Sequence, residues 1–218
     1  MGIKELMLDT ESERGRWVYT KILKLLDSPN RKIFDNPEKL IKASGIMEGQ
    51  TVLEIGCGSG YFTAEISKIL GSSGKLYSTD IHPAAIEETR KKVNSLGLKN
   101  VAVTMDNALN SSFEDSFFDV VLLYGVVPSP VIPMEDISDE IFRLLKSGGI
   151  YAIWTKMPFW KPKTVQYNKQ FKNMVKNNAN MILSLNFIGD MLLMRTKITL
   201  FRDYAKYTVI IRRSSMSW

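Results

Sequence analysis

The feature that most constrains this chain is a regular alternation from about residue 51 to 154, in which short aliphatic and β-branched runs trade places with longer stretches of helical period. Thr51-Val52-Leu53-Glu54-Ile55 reads as a buried strand ending in glycines, and residues 61–70 follow as a helix. Residues 75–79 make a second strand. Pro83 stands where a first-turn proline belongs, and the helix it opens runs to Leu96, stopped by Gly97. Residues 101–105 and 119–124 are the third and fourth strands. Over 137–145 the side chains of Ile137, Ile141, Leu144 and Leu145 share one helical face; Ser147-Gly148-Gly149 ends that helix, and 150–154 is the fifth strand. Such alternation implies a parallel sheet with helices on its faces.

Beyond residue 155 the rhythm changes. Residues 156–163 hold two prolines and read as a loop, after which Tyr167, Phe171, Met174, Val175, Ile182 and Leu185 line one side of a long helix. Thr196, Ile198 and Leu200 alternate with Arg195, Lys197 and Thr199, and 207–212 alternates likewise. Only 202–206 separates the two runs, which predicts a closing antiparallel hairpin.

A chain of 218 residues can bury a good core in one unit, and no repeat or low-complexity tract divides it. Residues 1–16 alternate charges with single apolar residues and lack the apolar centre of a signal peptide, and no stretch approaches a membrane span. With Cys57 the one cysteine, neither an intrachain disulfide nor a cysteine-based metal site can form, and a reducing, cytoplasmic setting is expected. The net charge of +6 is unevenly placed: residues 1–150 carry 17 basic and 21 acidic side chains, residues 151–218 carry 12 and 2. Such asymmetry suits an anionic partner, RNA or an acidic surface, facing the C-terminal third. Lysines that merely solvate a helix face and guard an edge strand account for it equally well.

The sharpest motif joins the first strand to its helix: Glu54-Ile55-Gly56-Cys57-Gly58-Ser59-Gly60, an acidic residue two places before G-x-G-x-G. Glycines between a strand and a helix let backbone approach a ligand where a Cβ would collide. Dinucleotide enzymes also place glycines here, but with G-x-G-x-x-G spacing and without the preceding carboxylate. Asp80 ends the second strand about 20 residues further on, where a carboxylate can accept both hydroxyls of a ribose. Asp106-Asn107-Ala108 follows the third strand.

In combination these residues resemble the class I S-adenosylmethionine (SAM)-dependent methyltransferases, and the likeness covers roughly residues 38–155. The resemblance implies an α/β, Rossmann-like fold: a mostly parallel seven-stranded sheet with a C-terminal antiparallel hairpin and helices on both faces. It implies one domain over 1–218, with 1–50 an N-terminal helical lid, 51–155 the SAM-binding core and 156–218 a basic helix and hairpin. It further implies SAM as cofactor, with Glu54 toward the cationic methionyl end and Gly56, Cys57, Gly58 and Gly60 offering backbone. Asp80 would take the ribose, Ile81 would pack on the adenine, and Asp106, Asn107 and Ala108 would recognise that base. Tyr124, with Gly125, would edge the methyl-transfer site. His82, the only histidine, is read as an ordinary residue entering its helix, and Asp119 as structural.

Departures from the family narrow the chemistry. The stretch Leu123-Tyr124-Gly125-Val126-Val127-Pro128 lacks the polar side chain that enzymes methylating exocyclic base amines place after the fourth strand. Cys57 lies inside the glycine loop and cannot be the nucleophile of a pyrimidine-carbon methyltransferase, and the apolar run 126–133 offers no magnesium ligands. The core most resembles the small-molecule group that includes ubiquinone- and menaquinone-type C-methyltransferases. The expected activity is therefore methyl transfer to a small-molecule acceptor left open by the sequence. Tyr124 is the one weak catalytic candidate, and Tyr19 and Trp17 of the lid segment are candidates to shape the acceptor pocket. Methylation of RNA or protein, using the basic C-terminal third, and a non-catalytic SAM-binding partner subunit remain alternatives.

Overall fold

The computed structural model describes residues 9–27, 31, 36–124, 126, 134–154, 181–187 and 207–213. Five strands, β1 (Thr51–Ile55), β2 (Lys75–Asp80), β3 (Val101–Met105), β4 (Phe118–Tyr124) and β5 (Leu145–Trp154), lie parallel in the order β3-β2-β1-β4-β5. Among the described residues five helices of more than one residue accompany them: α1 (Glu13–Leu26), α2 (Pro37–Ala43), α3 (Thr63–Leu70), α4 (Pro83–Ser95) and α5 (Met134–Leu144). Chain progress reverses between β1 and its neighbour β4, so the connections leaving them diverge and open a crevice at the carboxyl ends of the strands. The doubly wound, Rossmann-like α/β arrangement expected from the alternation is present.

The near-continuous apolar runs of β1 and β4 follow from burial on both faces. On one face, Leu53, Val121, Leu123 and Tyr151 pack with Ile137, Ile141 and Leu144 of α5. On the other, Val52, Val120, Leu122 and Ala152 pack with Leu40 and Ile41 of α2 and Ile66 and Leu70 of α3. Leu122, Leu123, Ile137 and Ile141 are wholly buried, the setting in which truncation to alanine removes about 2–5 kcal/mol. An aromatic knot holds the entry to β4: Phe118 meets Tyr77, Phe113 and Phe117 edge-on with ring centroids 5.7, 5.1 and 5.0 Å away. Asp119, read as structural, ties strand ends together by accepting from the Thr51 N–H and the Lys146 ammonium, each at 2.8 Å.

Two expectations give way. Helix α5 ends at Leu144 and β5 begins at Leu145, so Leu145 is buried from a strand rather than from the helix. Its pairing with β4 shifts register between Phe118 and Val120, and Gly148 (φ 78°) lies within the strand instead of in a terminating turn. Residues Met181–Phe187 form a strand, β6, where the long helix was to continue through Ile182 and Leu185. Met181, Leu183, Leu185 and Phe187 also alternate with Ile182, Ser184 and Asn186, and a short apolar run of this kind satisfies both periods. Tyr207–Arg213 is a strand, β7, matching the expected 207–212. The expected strand over 196–200, the helix start near Thr164, and Lys161, Lys163, Lys169, Lys172 and Lys176 lie outside the described residues.

Candidate functional site

The crevice above β1, β2 and β3 gathers the residues singled out in the sequence. After β1 the chain passes through Gly56 (φ 75°) and Gly58 (φ 55°), left-handed conformations that favour glycine. The N–H groups of Gly56 and Cys57 both donate to the Thr79 carbonyl, at 2.8 and 2.9 Å, so the turn is clamped to the end of β2. A Cβ on Gly56 would collide with the side chain of Val126. Cys57 is buried, burial pushes its thiol well up, and the hydroxyl of Thr89 lies 3.4 Å from its sulfur. It is a packed, protonated thiol that contributes backbone to the turn.

Glu54 points from β1 into the layer beneath α3. It is 3% exposed, and one oxygen, Oε2, accepts from the hydroxyls of Thr63 and Ser78, each at 2.7 Å. Burial pushes its carboxyl up to about 7, against the pull of those two hydrogen bonds. It has no ion-pair partner among the described residues. A carboxyl buried in this way favours its neutral form unless a positive charge is brought beside it. Thr63 and Ser78 were not singled out in the sequence; only their positions, nine residues after Glu54 and opposite it on β2, mark them.

Asp80 ends β2 with its carboxylate already engaged: Oδ1 accepts from the N–H of His82 at 2.9 Å and Oδ2 from that of Gly58 at 3.1 Å. Burial raises its carboxyl and these backbone donors oppose the rise. His82 is the N-cap of α4, its Nδ1 accepting from the Ala84 N–H at 3.1 Å, with Pro83 at the first turn. That bond fixes the neutral tautomer, and burial lowers the imidazole's affinity for a proton. The reading of His82 as an ordinary helix-entry residue fits this geometry. Ile81 (54%), Met105 (61%) and Leu109 (43%) are exposed apolar side chains, and Met105 pairs with Asp80, the residue before Ile81, across β2 and β3.

Asp106 follows β3 and is enclosed by its own loop. Oδ2 accepts from the Ser111 hydroxyl at 2.5 Å, and Oδ1 from the N–H and hydroxyl of Ser112, both at 3.0 Å. Asn107 caps the turn by accepting from the Leu109 N–H at 3.0 Å, and Ala108 packs half-buried against the α5-side core.

Helix α1 lies across this end of the sheet. The Tyr19 ring stacks on His82 with centroids 3.9 Å apart, and Leu23 stands 3.4 Å from where a Cβ of Gly58 would be. Asp27 accepts from Lys92 at 2.6 Å and from Ser59 at 3.4 Å, closing the end of the helix onto the glycine turn and α4. Burial, then the Asp80 charge, pushes the Tyr19 hydroxyl well up. Trp17, the other residue of this segment singled out in the sequence, is 63% exposed, with the Lys21 ammonium 5.3 Å over its ring. The Tyr124 hydroxyl donates to the Leu40 carbonyl at 3.1 Å and its ring meets Phe62 edge-on at 5.2 Å, so the side chain ties β4 to α2 and α3 beneath the sheet. The hydroxyl is thus engaged on the side of the sheet covered by α2 and α3. Gly125 lies outside the described residues.

Comparison with known proteins bears on the same segment. Residues 46–199 match a protein-family model described as a methyltransferase domain. The chain is 33% identical over 132 residues to a protein-L-isoaspartate O-methyltransferase of Methanococcus maripaludis, covering 57% of this chain and 59% of that one. It is 32% identical over 139 residues to a demethylmenaquinone methyltransferase of Lactococcus lactis, covering 63% and 54%. The chain thus spans little more than half the length of these curated relatives. In fold it resembles the crystal structure of a SAM-dependent methyltransferase from Aquifex aeolicus, with a TM-score of 0.69 at 23% identity, over 88% of this chain and 97% of that one.

Proposed function

The chain belongs to the SAM-dependent methyltransferase domain family, and from that premise we propose that it transfers the methyl of SAM to a small-molecule acceptor. The observation that carries the reading is the placing of Glu54, Asp80 and Asp106 at the ends of β1, β2 and β3, around a turn whose left-handed backbone at Gly56, Gly58 and Gly60 favours glycine. Bound SAM supplies a methyl already activated on a sulfonium. The chain's residues hold and orient. Glu54 faces the ligand's ammonium end, and the 56–60 turn offers its backbone. Asp80 turns from the Gly58 N–H to the ribose hydroxyls, Ile81 supports the adenine, and Asp106 with Asn107 and Ala108 reads its edge. Catalysis then rests on alignment and exclusion of water, to which α1 contributes as a lid carrying Tyr19. A base is needed only for an acceptor that must lose a proton before attack.

The small-molecule class is supported by the likeness to a demethylmenaquinone methyltransferase and by the lack of a polar side chain over residues 125–128, which follow β4 in the sequence. Two antiparallel strands completing a seven-stranded sheet are part of the same reading, supported by the registers Tyr151↔Ile211 and Leu183↔Ile211. The basic 151–218 segment favours a second reading, methylation of RNA or protein, with Lys161, Lys163, Lys169, Lys172 and Lys176 attracting an anionic partner. No helix among the described residues is long and apolar enough to cross a membrane.

Titration calorimetry with S-adenosylhomocysteine (SAH), SAM and NADH tests the reading. Binding of SAM and SAH is expected; binding of NADH without SAM would overturn it. Turnover with any acceptor removes the alternative of a non-catalytic partner subunit. Loss of RNA binding, with SAM affinity intact, in a Lys169→Glu, Lys172→Glu, Lys176→Glu variant at low salt would favour the second reading.

A further inference from the structure

One side chain outside the crevice is bonded at several points to the loop that encloses Asp106. Arg143, in the last turn of α5, directs every N–H bond of its guanidinium at an acceptor. Nε donates to Glu140 Oε2 at 3.0 Å; Nη1 donates to the Phe113 carbonyl at 2.8 Å and to Asp115 Oδ1 at 2.6 Å; Nη2 donates to Glu140 Oε1 at 2.6 Å and to the Ser111 carbonyl at 3.0 Å. A guanidinium presents its donors in a fixed planar fork, so these acceptors are set relative to one another by a single rigid group. Two backbone bonds reinforce it, from the N–H of Ser116 to the Arg143 carbonyl at 2.8 Å and from that of Phe117 to the Leu144 carbonyl at 2.9 Å.

The chain of contacts continues inward. Glu140, held by Arg143, accepts from the Ser111 N–H at 2.7 Å, so Ser111 is gripped at both its N–H and its carbonyl. The Ser111 hydroxyl then donates to Asp106 Oδ2, and Ser112 supplies the two donors on Oδ1. A carboxylate has about four lone-pair positions. Three are filled by this loop, and the fourth lies on Oδ2.

We propose that Arg143 is a positioning residue for recognition of the donor's base: by gripping Ser111 directly and through Glu140, it holds the Asp106 carboxylate with one acceptor position open for the exocyclic amine of a 6-aminopurine. The inference rests on the site reading above and adds a selectivity to it. A 6-oxopurine sets a carbonyl where the amine would donate, so two acceptors face each other. A carboxylate free to turn escapes that clash, and one held by three donors does not. Removing the grip therefore reduces discrimination between the bases, not only affinity. The Asp115 arm is a surface pair, with Asp115 75% exposed, and adds little; the Glu140 arm, with Glu140 13% exposed, carries the effect.

The test is calorimetry of SAH against S-inosylhomocysteine, the same molecule with a 6-oxopurine, on the wild-type chain, Arg143→Lys, Glu140→Gln, Ser111→Ala and Asp106→Ala, with melting curves for each. Wild type should favour SAH by roughly tenfold or more, as for a hydrogen bond to a charged acceptor. Arg143→Lys keeps the charge but cannot fill the fork, and should reduce that ratio by about threefold or more. Ser111→Ala removes a donor of Asp106 itself and should move the ratio the same way; Glu140→Gln keeps Arg143 and all three donors of Asp106, loosens the grip on Ser111, should also lower the ratio, and decides the matter if the lysine variant does not fold. Asp106→Ala should bring the ratio close to one, with no further change when Arg143→Lys is added. If Arg143→Lys and Glu140→Gln keep the wild-type ratio while Asp106→Ala loses it, Arg143 is a structural residue and the inference is wrong, whatever Ser111→Ala does. Wild type binding both ligands equally would remove Asp106 as reader of the base, and the inference with it. Wild type binding neither would contradict the site reading itself.

Discussion

Glu54 and Asp106 stand at the same edge of the sheet, at the ends of β1 and β3, and are held in opposite ways. Glu54 is buried, takes two hydroxyls on a single oxygen, and is pushed up to about 7 because burial outweighs those bonds. Asp106 is half-buried, and three donors from its own loop divide between both oxygens. Burial disfavours the charge on the inner carboxylate, whereas the outer one takes three neutral donors and has room for one more. This difference matches the two ends of the proposed ligand, an ammonium at one and a neutral amine at the other.

The comparison depends first on the turn between the two sites. Gly56→Val brings a β-branched side chain to a φ of 75° and drives its Cβ into Val126, so the turn must move away from Thr79. Loss of measurable SAH binding in calorimetry is expected, with a lowered melting temperature. Retained affinity would mean the ligand does not use this backbone.

Glu54→Gln sharpens the contrast by removing one ionisation. The folded-state value of about 7 lies above the ordinary 4.5, so the protonated form's contribution to stability is complete below about pH 4.5 and is lost as pH rises through 7. The glutamine never ionises. The variant should match wild type near pH 5 and exceed it by up to about 3 kcal/mol near pH 8.5 in denaturant unfolding. An equal difference at both pH values would show that Glu54 is not charged at the expense of folding. Asp80→Ala comes next: it removes the acceptor of the Gly58 and His82 N–H groups and should weaken SAH by about 1–3 kcal/mol, read as a raised Kd. The smallest effect belongs to the end of α1. Lys92→Ala breaks a half-exposed pair with Asp27 and should lower stability by less than about 1 kcal/mol in chemical unfolding, which a larger loss would contradict.

Much of this was legible in the sequence because it rests on periodicity and punctuation. The glycines after Ile55, Pro83 behind His82, and the apolar face of Ile137, Ile141 and Leu144 fix the αβ units, and all stand where expected. What sequence could not supply was direction. Tyr124 is polar at the end of a strand, yet its hydroxyl is claimed by a carbonyl 84 residues earlier. Thr63, Ser78, Ser111 and Arg143 act through contacts between elements, which no spacing along the chain announces. In Met181–Phe187 helical and strand periods coincide, and the choice passed to pairing that local sequence does not encode.

A crystal structure of the chain with SAH bound tests the central claim most directly. The account predicts the amino-acid end of the ligand against the 56–60 turn on the Glu54 side, the ribose hydroxyls on the Asp80 carboxylate, and the adenine amine donating to Asp106 Oδ2 with the Ser111 and Ser112 bonds kept. A ligand whose ribose does not meet Asp80, or whose base leaves Asp106 unvisited, would contradict it.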